Sequence, residues 1–137
     1  MKKHIHVVGA IIANHAGSIL CALRSPSMTL PNLWEFPGGK IEPSEKPQES
    51  LIREIQEELG CTIAVGNEVD NTTYEYEQFI VTLCTYQTRI VSGKPEPKEH
   101  AALLWLPKES LLSLHWAPAD IPAVEKVMVH DCEPDSV

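Results

Sequence analysis

The residue pattern predicts an α+β domain in which helices pack on a mixed sheet. Three observations carry that prediction. β-Branched and alternating runs dominate the chain. One long amphipathic pattern sits in its middle. Helical patterns return only near its end.

The elements follow in order. Residues 4–13 and 18–24 read as two strands joined at NHAGS, where Gly17 marks a turn. Pro26 and Pro31 punctuate a loop. LWEFPGGKI is short and extended, and EPSEK continues as loop. Pro47 suits the first turn of a helix and Gly60 its stop, which bounds a helix over 47–59. Residues 62–69 and 72–77 are strand-like, and Phe79 to Val91 is the clearest strand. SGKPEPKEH is a loop, AALLWL a buried strand and PKESLLSL a short helix. APADIPAVEKVMVH reads as a final helix starting near Pro118. These elements make one domain over 1–130, followed by a polar tail over 131–137.

Composition narrows the function. The net charge is −8, from 19 acids against 11 Lys and Arg. That argues against nucleic-acid binding by phosphate neutralisation. It admits a small anionic ligand where a metal mediates. No apolar run approaches the roughly 20 residues that span a membrane. MKKHIHVVGAIIA lacks the apolar core and cleavage site of a signal peptide. Cys21, Cys61, Cys84 and Cys132 are scattered without a CxxC pair and read as buried thiols. A reducing, cytoplasmic home suits them. The sequence leaves the oligomeric state open, with a monomer plausible.

The middle helix poses a charge problem. On a helical wheel Leu51, Ile52, Ile55 and Leu59 form an apolar stripe. Glu54, Glu57 and Glu58 gather on the neighbouring face, with Arg53 alone beside them. Like charges at i, i+3 and i+4 weaken a helix by tenths of a kcal/mol per pair. Two readings are open: a solvated acidic face, or a site for a hard cation such as Mg²⁺ or Mn²⁺ with oxygen ligands. The preceding Gly38 and Gly39 favour the second, since glycine admits unusual backbone conformations and close approach. Arg53 is placed to pair with Glu45 or Glu57 as an orienting group.

From Gly39 to Cys61 the segment resembles the Nudix box, G-x5-E-x7-R-E-U-x-E-E-x-G-U with U apolar. It reads Gly39, Glu45, Arg53, Glu54, Ile55, Glu57, Glu58, Leu59, Gly60 at the required spacings. Only Cys61 departs, at a U position. LWEFPGGKIE and EHAALLWLPKESL…WAPADIP are similar to the MutT-like branch, so the resemblance runs to about His130. It implies an αβα sandwich with the box as loop-helix-loop. It implies Mg²⁺-dependent cleavage of a nucleoside triphosphate to monophosphate and pyrophosphate, with Mn²⁺ as a substitute. It assigns Glu54, Glu57, Glu58 and Glu99 as metal ligands, helped by the Gly39 carbonyl. It makes Glu45 and Arg53 the pair that shapes the box, and leaves Glu54 or Glu99 as general base. It brings Arg24 to substrate phosphate and Phe36, Gln78, Phe79 and Asp120 to the base pocket.

Asp120 stands where guanine-type members carry asparagine, while CTP-type members carry aspartate in a similar PAD segment. Ionised aspartate only accepts, which suits the amino group of cytosine. Guanine also presents donors, so oxidised dGTP stays open beside cytidine nucleotides. The plain alternative for Asp120 is an acid at a helix start. Other residues have ordinary readings: Trp34 and Phe36 as base-stacking or core, Trp105 as core, Trp116 as either, His4 and His6 as surface, and His100 as loop or, beside Glu99, near the site. One of Tyr74 and Tyr76 could lie near a ligand. Rival functions are a Nudix hydrolase of a dinucleotide or nucleotide sugar, and a non-catalytic nucleotide sensor. The complete acidic set argues against the sensor.

Overall fold

The computed structural model describes residues 1–129. The polar tail, Cys132 and the domain limit at 130 lie outside the described residues. Seven strands and two α-helices are built in the order β1 (Lys3–Ile12), β2 (Ser18–Leu23), β3 (Trp34–Glu35), β4 (Gly38–Lys40), α1 (Pro47–Leu59), β5 (Thr62–Glu75), β6 (Phe79–Ser92), β7 (Ala102–Pro107) and α2 (Ile121–Val129). Two 3-10 turns, Lys108–Ser113 and Pro118–Asp120, precede α2.

The strands form a mixed sheet ordered β4, β1, β6, β5 and an antiparallel sheet ordered β3, β2, β7. β1 is the centre of the mixed sheet. It pairs with β6 in parallel, Val7 opposite Leu83, and with β4 antiparallel, Val8 opposite Gly39. Its two faces serve two cores. Val8, Ala10 and Ile12 pack with Leu51, Ile55 and Leu59 of α1. Ile11 and Ala13 pack with Ala123, Val124 and Val127 of α2. A strand covered on both faces reads as a continuous apolar run, as this one does from Val7 to Ala13. Sandwiching of the sheet between helices follows from that pattern.

α1 begins and ends where local chemistry dictates. The Lys46 N–H donates to the Glu49 carboxylate (2.9 Å), Pro47 opens the first turn, and Gly60 closes the helix with φ 74°. Three expectations need correction. Ile52 is 39% exposed, whereas Glu58 is only 6% exposed. The helix is thus rotated from the expected stripe, turning one carboxylate inward. Residues 62–75 form one strand rather than two. Its pairing with β6 slips between Val65 and Glu68 and again between Glu68 and Asp70, so bulges break the alternation that the sequence shows. The strand over AALLWL is half-buried rather than buried, with Leu104 39% exposed.

Candidate active site

A cleft of about 230 Å³ opens on the α2 side of the mixed sheet. Its floor is Ile5 and Val7 of β1 with Val81 and Leu83 of β6. α1 covers the opposite face. The two sides meet at β4, the edge strand beside β1, where Gly38 and Gly39 line the cleft and α1 packs behind.

Neither glycine is there for its backbone conformation, since the positive-φ glycines are Gly17, Gly60 and Gly93. Both are there for close approach. A Cβ on Gly38 would lie 1.9 Å from the Val8 carbonyl oxygen. One on Gly39 would lie 1.7 Å from Oε2 of Glu54. The Glu54 carboxylate therefore rests directly against the Gly39 backbone.

Arg53 organises the acidic cluster. Its Nε and Nη2 donate to the two Glu45 oxygens (2.8 and 3.0 Å), and Nη2 also to the Lys40 carbonyl (3.2 Å). Its Nη1 donates to Glu54 (2.7 Å) and reaches Glu57 (3.3 Å). Ser50 Oγ donates to Glu45 as well (2.7 Å). The hydrogen bonds from Arg53 hold the Glu45 carboxyl down at about 2. The Glu45 and Glu54 bonds push the Arg53 guanidinium up, so it stays charged. Arg53 thus ties the loop before α1 to the acidic face.

Glu58 points inward. Burial, and then the charges of Glu35, Glu54 and Glu99, push its carboxyl up to about 9. Its Oε1 is buried without a hydrogen-bond partner. A lone buried oxygen acceptor crowded by carboxylates is what a hard divalent cation relieves, so the donor set fits such an ion. As the side chains stand, no three His, Cys, Asp or Glu groups among the described residues close on one point. Arg53 Nη1 lies between Glu54 and Glu57. Glu99 is exposed on the loop before β7, close enough for its charge to act on Glu58.

Of the residues assigned to substrate, Arg24, Phe36, Phe79 and Asp120 line the cleft. Gln78 does not; it is exposed at the turn between β5 and β6. Arg24 is largely engaged. It donates to Glu35 (2.7 Å), the Thr29 hydroxyl (3.0 Å) and the Thr29 carbonyl, three of its five N–H groups. Phe36 is buried and packs on Trp116, ring centres 4.9 Å apart. Tyr76 lines the cleft, and its hydroxyl accepts the Ala119 N–H (3.0 Å), whereas Tyr74 does not line it. His4 and His6 stack on each other, ring centres 4.5 Å apart, on the outer half of β1.

Asp120 is held inside the fold. It is 5% exposed, and its Oδ2 accepts the Phe36 N–H (3.0 Å). Burial, and then the charge of Glu35, push its carboxyl well above 3.8.

Glu35 escapes sequence reasoning, and His100 enters it only through its adjacency to Glu99. Glu35 accepts from Arg24 and stands 2.9 Å from Nε2 of His100. The His100 side chain is fully buried, and its Nδ1 lies 3.7 Å from Glu58 Oε2. A charged residue inside an otherwise apolar LWEF strand was the available signal for Glu35. His100 carries none beyond its adjacency to Glu99.

Known proteins match this geometry. The NUDIX domain profile matches residues 7–126. A CTP pyrophosphohydrolase of Escherichia coli K12 is 40% identical over 126 residues, 92% of this chain and 93% of that one. An 8-oxo-dGTP diphosphatase of the same strain is 32% identical over 127 residues, 93% and 98% of the two chains. The solution structure of a DNA mismatch repair protein MutT from methicillin-resistant Staphylococcus aureus 252 superposes with a TM-score of 0.76 at 51% identity, covering 93% of this chain and 98% of that one.

Proposed function

The chain belongs to the NUDIX-domain family, and we propose that it is a MutT-type hydrolase that cuts a nucleoside triphosphate to the monophosphate and pyrophosphate. The observation that carries this reading is the meeting of cleft and acidic helix at Gly39. A base and sugar in the cleft place their phosphates at β4, beside Glu54. The cleft volume, just below the roughly 300–1,000 Å³ typical of ligand pockets, favours one nucleoside over a dinucleotide. We assign cytidine-type and oxidised guanine nucleotides as substrates. Burial favours the protonated form of Asp120, and in that form its carboxyl presents a donor and an acceptor together, which complements the N3 and amino edge of cytosine and the O6 and N7–H edge of an oxidised guanine; in the ionised form it accepts from the cytosine amino group.

Members of the family generally need a divalent metal. Glu54, Glu57, Glu58 and Glu99 would hold it here, and Mg²⁺ is the ion we assign. When bound it neutralises phosphate charge and acidifies water. The rest falls to the chain's own residues. Glu45 and Arg53 keep the loop and helix in register, so the Glu54 carboxylate stays against Gly39. Arg24 lines the cleft, where its guanidinium can meet a phosphate oxygen. Glu54 or Glu99 takes the proton of the attacking water. One P–O bond forms to water and one breaks, with pyrophosphate leaving.

The test is a parallel assay of CTP, dCTP, 8-oxo-dGTP, dGTP and ADP-ribose with Mg²⁺ and with chelator. Metal-dependent release of pyrophosphate and monophosphate from the first three is expected. Hydrolysis of ADP-ribose alone, or release of single phosphates, would overturn the reading.

A further inference from the structure

Between the cleft and the acidic helix lies a buried connection that the reaction scheme above leaves unused. We propose that His100 is a positioning residue whose two ring nitrogens set two parts of the site: Nε2 holds Glu35, and through it Arg24, while Nδ1 sets the place of Glu58. This rests on the hydrolase reading for its chemistry but not for its geometry.

The geometry is a strut. Arg24 Nη1 donates to Oε1 of Glu35 (2.7 Å), and His100 Nε2 meets the other oxygen, Oε2 (2.9 Å). Across the ring, Nδ1 faces Glu58 Oε2 at 3.7 Å. The imidazole is fully buried, and its Nδ1 and Glu58 Oε1 are both without a hydrogen-bond partner. Buried polar atoms left open in this way are rare and mark a site completed by something else. The loop that carries His100 is anchored at both ends. The Glu96 N–H donates to the Leu59 carbonyl at the end of α1 (2.9 Å), and the Ala101 N–H to the Leu23 carbonyl at the end of β2 (2.9 Å). His100 is therefore wedged between the helix with the carboxylates and the strand that ends beside Arg24. Groups that orient a ligand without touching the reacting atoms typically alter metal affinity or activity by about 10–100-fold when removed.

The two nitrogens can be separated by substitution, because asparagine reproduces the Nδ1 position and glutamine the Nε2 position. Three properties of the full chain are measured for wild type, His100→Asn and His100→Gln. They are Mn²⁺ affinity without nucleotide by electron paramagnetic resonance, affinity for an α,β-methylene CTP analogue by calorimetry, and kcat and KM for CTP. His100→Gln is expected to weaken Mn²⁺ by about 10–100-fold with nucleotide affinity and KM nearly kept. His100→Asn is expected to do the reverse. Both variants shifting both properties together, or neither, overturns the proposal. Should a variant fail to fold, Mg²⁺ titration of ¹⁵N-histidine-labelled wild type decides. The His100 Nδ1 resonance moves if the proposal holds and stays still if it does not. Separated effects with no triphosphate turnover in wild type would overturn the hydrolase reading alone, and turnover without separation would overturn this inference alone.

Discussion

Replacing Gly39 by alanine should disable the site without unfolding the protein. The added Cβ would lie 1.7 Å from Glu54 Oε2, and ordinary contact begins at 3.4 Å. The carboxylate must withdraw by the 1.7 Å difference. It can do so, because the nearest atoms belong to the end of a flexible side chain. A misplacement of about 1 Å in a reacting constellation costs on the order of 100-fold in rate, so kcat/KM should fall by about that factor or more. Gly38→Ala is the control with the opposite outcome. There the Cβ meets the Val8 carbonyl oxygen at 1.9 Å and the Gly9 Cα at 2.9 Å, which are backbone and cannot give way. That variant should lose thermal stability by breaking the β1–β4 pairing. Steady-state kinetics and melting temperature on both variants test the pair. A Gly39→Ala enzyme with wild-type kcat/KM would refute the placement of Glu54, and a Gly38→Ala protein that melts like wild type would refute the register of β4.

Three further outcomes are expected. Glu57→Gln should lower turnover by orders of magnitude, through the metal-ligand role we propose for it, and leave the melting temperature nearly unchanged, since the Glu57 side chain is 58% exposed; full activity at saturating Mg²⁺ would sink the ligand assignment. Asp120 keeps its proton in the folded state well above the ordinary 3.8, so an unfolded chain releases that proton first and stability falls as pH rises above that value. Asp120→Asn keeps an acceptor for the Phe36 N–H and does not titrate, and its stability advantage should therefore grow with pH across that window in thermal melts; a pH-independent difference would contradict the burial argument. Lys126→Met removes the partner 2.6 Å from the buried Asp70. Breaking such a pair from one side costs about 3–5 kcal/mol, cut to about 1–2 kcal/mol because Lys126 is half exposed and Thr72 still donates to Asp70. Urea unfolding reads that loss directly.

Much of this molecule was legible wherever the signal is local. The bounds of α1 depend on Pro47 and Gly60, and both act within one turn. β6 is long and β-branched, and it forms where the sequence places it. The failures are tertiary. Whether Ile52 or Glu58 faces inward depends on how α1 rolls on β1, β4 and β5, which no helical wheel contains. The slips in β5 are relations to β6, invisible in β5 itself. The LWEFPGGKI stretch is extended as expected, yet Trp34–Glu35 joins one sheet and Gly38–Lys40 the other. Glu35 and His100 meet across 65 positions of sequence, so their partnership has no local trace. Asp120 was visible as a base-pocket candidate, but its charge state follows from burial that only the fold supplies.

The parallel pairing of β1 with β6 also orders events in time. Lys3 pairs with Phe79, 76 residues further along. At a synthesis rate of about 5–20 residues per second, β1 leaves the ribosome roughly 4–15 s before that neighbour does. In the last part of that interval, once Leu59 has been made, α1 exists in full, with every box carboxylate in sequence, while the apolar surface of β1 lacks its parallel partner. The floor of the cleft needs Ile5 and Val7 together with Val81 and Leu83. A nascent chain halted before β6 thus carries the acidic helix complete and no chamber for a nucleotide beside it.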